Sequence, residues 1–378
     1  MAAKKIEPEN PFPVLDYISP KYFCDRKDET DKIISTFRNG RNITLISIRR
    51  LGKTILLKHV LNKLQQDQSN RIIFIDIMPT ECLKDFVKAF SDAIVKDEKD
   101  NRGFLEKISA FVAGIRGKLV FDDLSGIPSV EVNIADEKEA ELSINKIFEY
   151  LAAQKSKYIV AFDEFQQIVH YPEKNTEAIL RTAIQHQHKD NFIFSGSSKD
   201  ILISMFSDYG KPFYQSSDIM ELKRINPEAY TSHILKHFKK RDKKIDKSLI
   251  AHYIEYYNNH TYYVQYFFNR LFEYSRDIVT EKEARLVEDI ILKEREYIYF
   301  GYRNLLTSVQ FSVMTAIAKE GGVEQINSGN FIKKYNLSQP SSVTAAVNAL
   351  LEKQMIYYED NIYLLYDVYL EKWLKKTF

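Results

Sequence analysis

ISIRRLGKTILL, residues Ile46–Leu57, is the stretch on which the fold turns. Its Gly52-Lys53-Thr54 sits between two differently patterned segments. Before it, NITLISI (Asn42–Ile48) is a short apolar run with β-branched residues, bounded by RNGRN, and reads as a buried parallel strand. After it, Ile55, Leu56, Val60, Leu61 and Leu64 recur at helical spacing. Strand, tight loop and helix, in that order, are what a phosphate-binding loop needs, because backbone amides at a helix N-terminus face the anion and the dipole favours it. The usual pattern G-x-x-x-x-G-K-[ST] has a glycine where this chain has Ser47. That position mainly turns the chain out of the strand, and a small serine suits the turn, with strain only if φ must be positive. The candidate phosphate-binding set is Ser47, Arg49, Arg50, Leu51, Gly52, Lys53, Thr54 and Ile55. Lys53 would reach the β- and γ-phosphates, the Thr54 hydroxyl would ligate Mg²⁺, and Gly52 would let the backbone pass close to the phosphates.

A Gly-Lys-Thr by itself can equally be an exposed pair at a helix start. KYIVAFDEF, further along, decides between the readings. It is a buried strand ending in two acids, and adjacent acids there cost desolvation unless a cation or polar network meets them. Asp163 is placed to hold the hydration shell of Mg²⁺ and Glu164 to polarise an attacking water.

The rest of the chain supports this frame. RIIFIDIM (Arg71–Met78) reads as a second strand, followed by a helix at Glu81–Lys96. KLVFDD and SVEVNI alternate like strands and predict a β-hairpin insertion near 117–135. A helix at Ala140–Ala153 leads into the acid-tipped strand, and Thr176–His188 feeds a fourth strand, NFIFSGSS; PFYQSSDIMEL reads as a fifth. Strands alternating with helices predict an α/β fold with a parallel sheet flanked by helices. After Pro227 the pattern turns helical, with segments at Asn226–Lys239, Lys247–Asn258, Tyr262–Ser275 and Thr280–Tyr297. HFKKRDKKIDK between the first two reads as a solvated charge run. From Thr307, helices at Val309–Lys319, Ser328–Tyr335 and Pro340–Lys353 precede strands Met355–Tyr358 and Ile362–Leu365, a winged helix-turn-helix layout. The expected organisation is an N-terminal arm (1–20) lying across the first domain, an ATPase core (21–225), a helical lid (226–300) and the winged helix (301–378).

At 378 residues the chain is long enough for two or three domains, and its 44% hydrophobic and 28% charged residues are ordinary for a globular protein. A net charge of +2 gives no global electrostatic case for nucleic acid. Two cysteines, Cys24 and Cys82, without ligand-like spacing exclude a disulfide scaffold or zinc ribbon and fit a reducing, cytoplasmic setting. No apolar run reaches the roughly 18 residues of a membrane span, so no membrane partner is expected. Tyrosine and phenylalanine are abundant, 24 each, and nine of them crowd into Tyr253–Phe272, which points to packing before base stacking.

In combination these motifs resemble the AAA+-related P-loop ATPases of prokaryotes, in the archaeal-type ATPase clade close to the STAND signalling ATPases. YFCDRKDET (Tyr22–Thr30) is similar to that family's N-terminal motif, SIRRLGKT to its Walker A, VAFDEFQQI to its Walker B, FIFSGSS to its sensor strand and NNHTYYVQ to its G-H-P-x-Y-x-Q lid motif. The resemblance implies that Phe23, Asp25 and Arg26 lie near the adenine and the hinge. It makes Ser195 or Ser197 the sensor of the γ-phosphate or water, and brings His260 from the lid to the phosphates. The chain departs from the pattern at Cys24, where glycine is common, at Asn258 and Thr261, which replace a glycine and a proline, and at Lys211, where relatives often carry arginine. Arg181 is the substitute candidate for an arginine finger.

The expected ligands are thus ATP or ADP with Mg²⁺, and the expected activity is slow hydrolysis in a nucleotide-dependent switch. Its partner would be a protein, including self-association. The alternatives are a DNA-associated ATPase contacting duplex through the winged helix, and a non-hydrolysing scaffold. The presumed recognition helix QPSSVTAAVNALLEKQ carries no arginine for a guanine edge, while NFIKKYN and KWLKKTF offer lysines for phosphate contacts.

Overall fold

A computed structural model describes residues 7–98, 104–122 and 124–378. The chain divides into a sheet unit, Ser19–Lys223, and a helical unit made of Arg224–Phe378 with the described residues up to Ile18.

The sheet unit runs α1 (Lys27–Arg38), β1 (Ile43–Ile46), α2 (Lys53–Leu64), β2 (Asn70–Asp76), α3 (Leu83–Glu98), α4 (Phe104–Gly114), β3 (Gly117–Phe121), β4 (Pro128–Val132), α5 (Glu137–Ala153), β5 (Lys157–Asp163), α6 (Thr176–Gln185), β6 (Asn191–Gly196), α7 (Lys199–Ser207) and β7 (Asp218–Glu221). Five strands form one parallel sheet in the order β2-β5-β6-β1-β7. Every residue of β1 and β6 is buried, as strands covered by helices on both faces require. Phe86, Phe90, Phe162, Phe165, Phe194 and Phe213 lie in one aromatic core beneath the acid-tipped strand. β3 and β4 pair antiparallel as the hairpin, with Phe121 opposite Pro128; the predicted segment also includes Asp123, which lies outside the described residues.

The helical unit runs α8 (Pro227–Lys239), α9 (Lys247–Tyr256), α10 (Thr261–Tyr274), α11 (Glu281–Leu305), α12 (Ser308–Glu320), α13 (Gly329–Lys334), α14 (Pro340–Glu352), β8 (Ile356–Glu359), β9 (Ile362–Leu365) and α15 (Val368–Thr377). Its helix starts are chemically marked. The Asn226 side chain accepts from the Glu228 and Ala229 amides ahead of Pro227, and Thr280/Glu283 and Thr307/Gln310 form capping boxes. Asp360 and Asn361 take left-handed φ of 50° and 66° at the β8–β9 turn, the conformation a two-residue hairpin loop demands. The tyrosine-rich segment is core: Tyr253, Tyr257, Tyr263 and Phe267 are buried, and Tyr253 stacks on Phe267 at 4.2 Å.

The structure corrects several sequence readings. Of the arm, the described residues up to Ile18 belong to the helical unit instead of the first domain: Phe12 is fully buried there among His237, Phe238, Phe268 and Phe272. Asn10 and Asn269 tie it down by side chain-to-carbonyl bonds, Asn10 to the Asn269 carbonyl at 2.8 Å and Asn269 to the Phe12 carbonyl at 2.7 Å. An extended segment has no periodicity to reveal its partner. The fifth strand is only Asp218–Glu221, because Pro212–Ser217 carry turns instead of a ladder. α11 runs past Tyr297 to Leu305, and α1, α4, α7 and α15 are additional helices. No helix of the described residues is long and apolar enough to cross a membrane.

Candidate active site

β1 delivers the chain to the loop at Ile46, and α2 begins at Lys53 with Gly52 as its N-cap. Left-handed backbone falls on Gly52, at φ 92°, and on Arg50, at φ 65°. Gly52 is therefore glycine for conformational reasons. Ser47 is not among the positive-φ residues, so in this loop the first position asks nothing that serine cannot adopt. Its hydroxyl is buried, 1% exposed, and hydrogen-bonds to no described residue.

The N-terminal motif braces this loop. Arg26, itself left-handed at φ 63° and buried, bonds Glu29 at 2.8 Å and reaches the Leu51 carbonyl at 3.5 Å. Asp25 is also left-handed, at φ 57°, so the strain of a tight turn falls on the two residues after Cys24. Phe23 stacks on His59 of α2, centroids 4.1 Å apart and planes 14° from parallel. Burial, with the nearby Lys63 ammonium, pushes the His59 imidazole down to about 4, so it stacks as a neutral ring. His59 was not singled out from the sequence; it lies one helical turn past Ile55, on the same face.

The acids meet α2 directly. Thr54 Oγ1 donates to Asp163 Oδ2 at 2.6 Å, and Lys53 Nζ lies 3.2 Å from Glu164 Oε1 and 3.9 Å from Asp163 Oδ1. The Ser195 hydroxyl donates to Asp163 Oδ1. The Ser197 amide and hydroxyl donate to Glu164 Oε2 at 3.2 and 2.8 Å. Strand order explains this convergence. β6 lies between the loop strand β1 and the acid strand β5, so its C-terminal hydroxyls reach the two carboxylates, Ser195 on Asp163 and Ser197 on Glu164. Burial alone would raise the Glu164 carboxyl; the Lys53 charge, with hydrogen bonds from Gln166 and Ser197, holds it below its ordinary value. Asp76, unnoticed in the sequence, ends β2 in register with Asp163. Burial and the neighbouring Asp163 and Glu164 push its carboxyl up. Its signal was a second apolar strand, IIFID, closing on an acid.

Among the described residues no hydrogen bond or ion pair joins Arg181 of α6 to the loop or the acids, and Lys211 pairs with Glu177 at 3.5 Å. His260 belongs to the helical unit, where it is buried as the N-cap of α10 with its ring edge-on to Tyr263 at 4.9 Å. Asn258 and Asn259 before it are left-handed, φ 55° and 50°. Asparagine tolerates that region better than most residues, which accounts for Asn258 where the lid motif has glycine.

The ordinary backbone at Ser47 yields a prediction. Ser47→Ala removes a hydroxyl that makes no hydrogen bond to described residues, and should leave ATP·Mg²⁺ affinity by calorimetry within about tenfold, roughly 1.4 kcal/mol. Ser47→Gly should stay in the same window. A large loss in the alanine variant would make the hydroxyl a ligand.

Comparison with known proteins agrees with this fold. No curated protein sequence matches the chain. Many solved structures are similar to the chain, and three of them cover nearly its whole length as follows. A Walker-type ATPase of Pyrococcus abyssi is 18% identical with a TM-score of 0.65, covering 97% of this chain and 99% of that one. The Aeropyrum pernix ORC2 protein, solved in ADPNP–ADP complexes, is 12% identical with a TM-score of 0.59, covering 97% and 95%. The Aeropyrum pernix ORC1 protein in complex with DNA is 11% identical with a TM-score of 0.54, covering 98% and 97%. At these identities the likeness concerns the fold. Residues 297–376 match a probable winged helix domain. Residues 23–247, more than half of the chain, match the ATPase domain found predominantly in Archaea, and the protein belongs to that family of P-loop ATPases.

Proposed function

We propose that the protein binds ATP with Mg²⁺, hydrolyses it slowly in the cytoplasm, and acts as a nucleotide-dependent switch. The observation that carries this reading is the wiring of Lys53 and Thr54, at the start of α2, to Glu164 and Asp163 at the end of β5. These residues suit the ion: an acceptor-rich pair of acids faces a hydroxyl and one ammonium, so the site holds more negative than positive side-chain charge. Thr54 and Asp163 would hold Mg²⁺, which would neutralise charge on the phosphates. The amides of the loop from Ser47 to Thr54 cradle the phosphates, Lys53 exchanges Glu164 for them, and Ile55 and the Phe23–His59 pair border the base. Glu164 takes the proton of the attacking water, and Ser195 holds Asp163 in place. His260 approaches from the lid. Among the described residues Arg181 has no bond to the cluster, and without an arginine supplied by a second molecule a long-lived ATP state suits a switch better than a motor.

The output is proposed to be a protein contact, including self-association. The presumed recognition helix α14 exposes Ser341, Ser342, Thr344 and Asn348, and the wing tip exposes Asp360. Apart from Lys353, exposed at the C-terminal end of α14, these positions are uncharged or acidic where duplex phosphates would want cations. The second reading, a DNA-associated ATPase, draws on the winged helix and on the likeness to an ORC1 protein solved with DNA.

Turnover and a salt series test the two. Phosphate release is expected well below the ~10 s⁻¹ typical of enzymes. Hydrogen exchange around His260 is expected to differ between ADP and a non-hydrolysable ATP analogue. Identical exchange in both states would overturn the switch. Duplex DNA binding that is ATP-sensitive and falls steeply with salt would favour the second reading.

A further inference from the structure

We propose that Gln166 is a positioning residue that aims the Glu164 carboxylate, and that residue 196 is a glycine to make room for it. The proposal rests on Glu164 being the general base. Glu164 sits at φ 56°, in the left-handed region, and this bend starts the 3₁₀ turn Phe165–His170. The bend folds Gln166 back on the carboxylate two residues before it. Its Nε2 donates to Glu164 Oε2 at 2.5 Å. Phe165 anchors the turn, fully buried and 4.7 Å from the Phe194 ring, so the amide is presented from a fixed backbone.

The two carboxylate oxygens are thereby given different tasks. Oε2 accepts from Gln166 and from the Ser197 amide and hydroxyl, all held by packed elements. Oε1 faces Lys53, the one cation in the cluster that has another partner to go to. When Lys53 turns to the terminal phosphates, Oε1 is released to a water while Oε2 stays fixed. A base held by one oxygen and free at the other is oriented without being neutralised.

Two further observations show that the position of Gln166 is specified. It is 5% exposed, and its Oε1 hydrogen-bonds to no described residue. A buried amide oxygen left unpaired is costly, yet the amide is kept with its nitrogen on Glu164. At Gly196, an added Cβ would lie 1.8 Å from that same Oε1 and 2.7 Å from Leu202 Cδ1. Gly196 ends β6 and is not among the positive-φ glycines, so its missing side chain serves space and not backbone freedom.

The test uses the full chain with ATP·Mg²⁺. Gln166→Ala should lower kcat about 10- to 100-fold while ATP affinity stays within about twofold, because the loss falls on orientation of the base. Gln166→Glu keeps the shape but adds a buried charge, so circular dichroism first checks that it is folded. The substitution places a second carboxylate against Glu164, which should move the acid limb of the kcat–pH profile to higher pH. Gly196→Ala should repeat the kcat loss in the wild-type background and add little in the Gln166→Ala background. The proposal is overturned if Gln166→Ala turns over at the wild-type rate while Glu164→Gln does not, or if it loses ATP affinity instead of kcat. If Glu164→Gln itself hydrolyses ATP normally, the base assignment falls first and this inference falls with it.

Discussion

Lys53→Ala is expected to abolish tight binding of ATP·Mg²⁺, a loss of at least about 100-fold, or ~2.7 kcal/mol. The side chain does two things. In the structure it is 7% exposed and lies between Glu164 Oε1 at 3.2 Å and Asp163 Oδ1 at 3.9 Å. In the proposed nucleotide complex its ammonium would be the point charge for the terminal phosphates. Alanine removes that charge and leaves two adjacent carboxylates facing an anionic ligand, so repulsion is added to the lost attraction. The same vacancy weakens the free protein, because a buried acid loses its counter-charge. Thermal unfolding of the variant without nucleotide should therefore also fall, and circular dichroism at the working temperature separates a folded non-binder from an unfolded chain. A folded Lys53→Ala protein with unchanged calorimetric affinity would remove the loop from the nucleotide site.

How much of this was readable in the sequence follows from what each feature depends on. The loop strand, its helix and the acid-tipped strand were legible because each is local: a short apolar run, a 3.6-residue periodicity, and charges closing a buried segment. The winged helix was legible for the same reason, from three helical segments and a turn at Glu359–Asn361 that only a hairpin explains. Strand order was not legible. Nothing between Asn42 and Gly196 says that β6 slots between β1 and β5, yet that neighbour relation puts the Ser195 and Ser197 hydroxyls on Asp163 and Glu164. α1 escaped because its first residues, Lys27, Asp28, Glu29 and Asp31, are charged and only Ile33, Ile34 and Phe37 mark an apolar face.

The residues overlooked at the site share one property: their importance lies in a partner far away or folded back. His59 matters through Phe23, on the other side of the loop. Asp76 matters through its register with Asp163. Gln166 has no signal of its own in VAFDEFQQI; the bend at Glu164 is what turns its amide onto the carboxylate. Ser47 shows the reverse case. A departure from the consensus glycine raised the question of backbone strain in one dimension, and the backbone shows the left-handed positions to be Arg50 and Gly52 instead.

Glu164→Gln is expected to keep ATP binding and to lose hydrolysis by about 10²–10⁴, the usual cost of removing a general base. The amide is isosteric, and its oxygen can still accept from Gln166 and from the Ser197 amide and hydroxyl. Its NH₂ must then face Lys53, and two donors repel where an ion pair stood. Lys53 therefore no longer has to leave a carboxylate before meeting the phosphates, so ATP affinity should equal or exceed that of the wild type. The pH behaviour has a definite sign. The folded Glu164 carboxyl lies below its ordinary 4.5 against burial, because of Lys53 and the hydrogen bonds from Gln166 and Ser197. A depressed carboxyl stabilises the fold above its unfolded pKa, and that share is lost as pH falls through the lower folded value. The glutamine variant should lack this share of the acid-induced loss of stability. In the wild-type complex, drawing Lys53 to the phosphates removes its lowering effect, so the acid limb of kcat should lie above the resting carboxyl's pKa. Rapid hydrolysis by Glu164→Gln would move the base elsewhere, and failure to bind ATP would make Glu164 part of the binding frame.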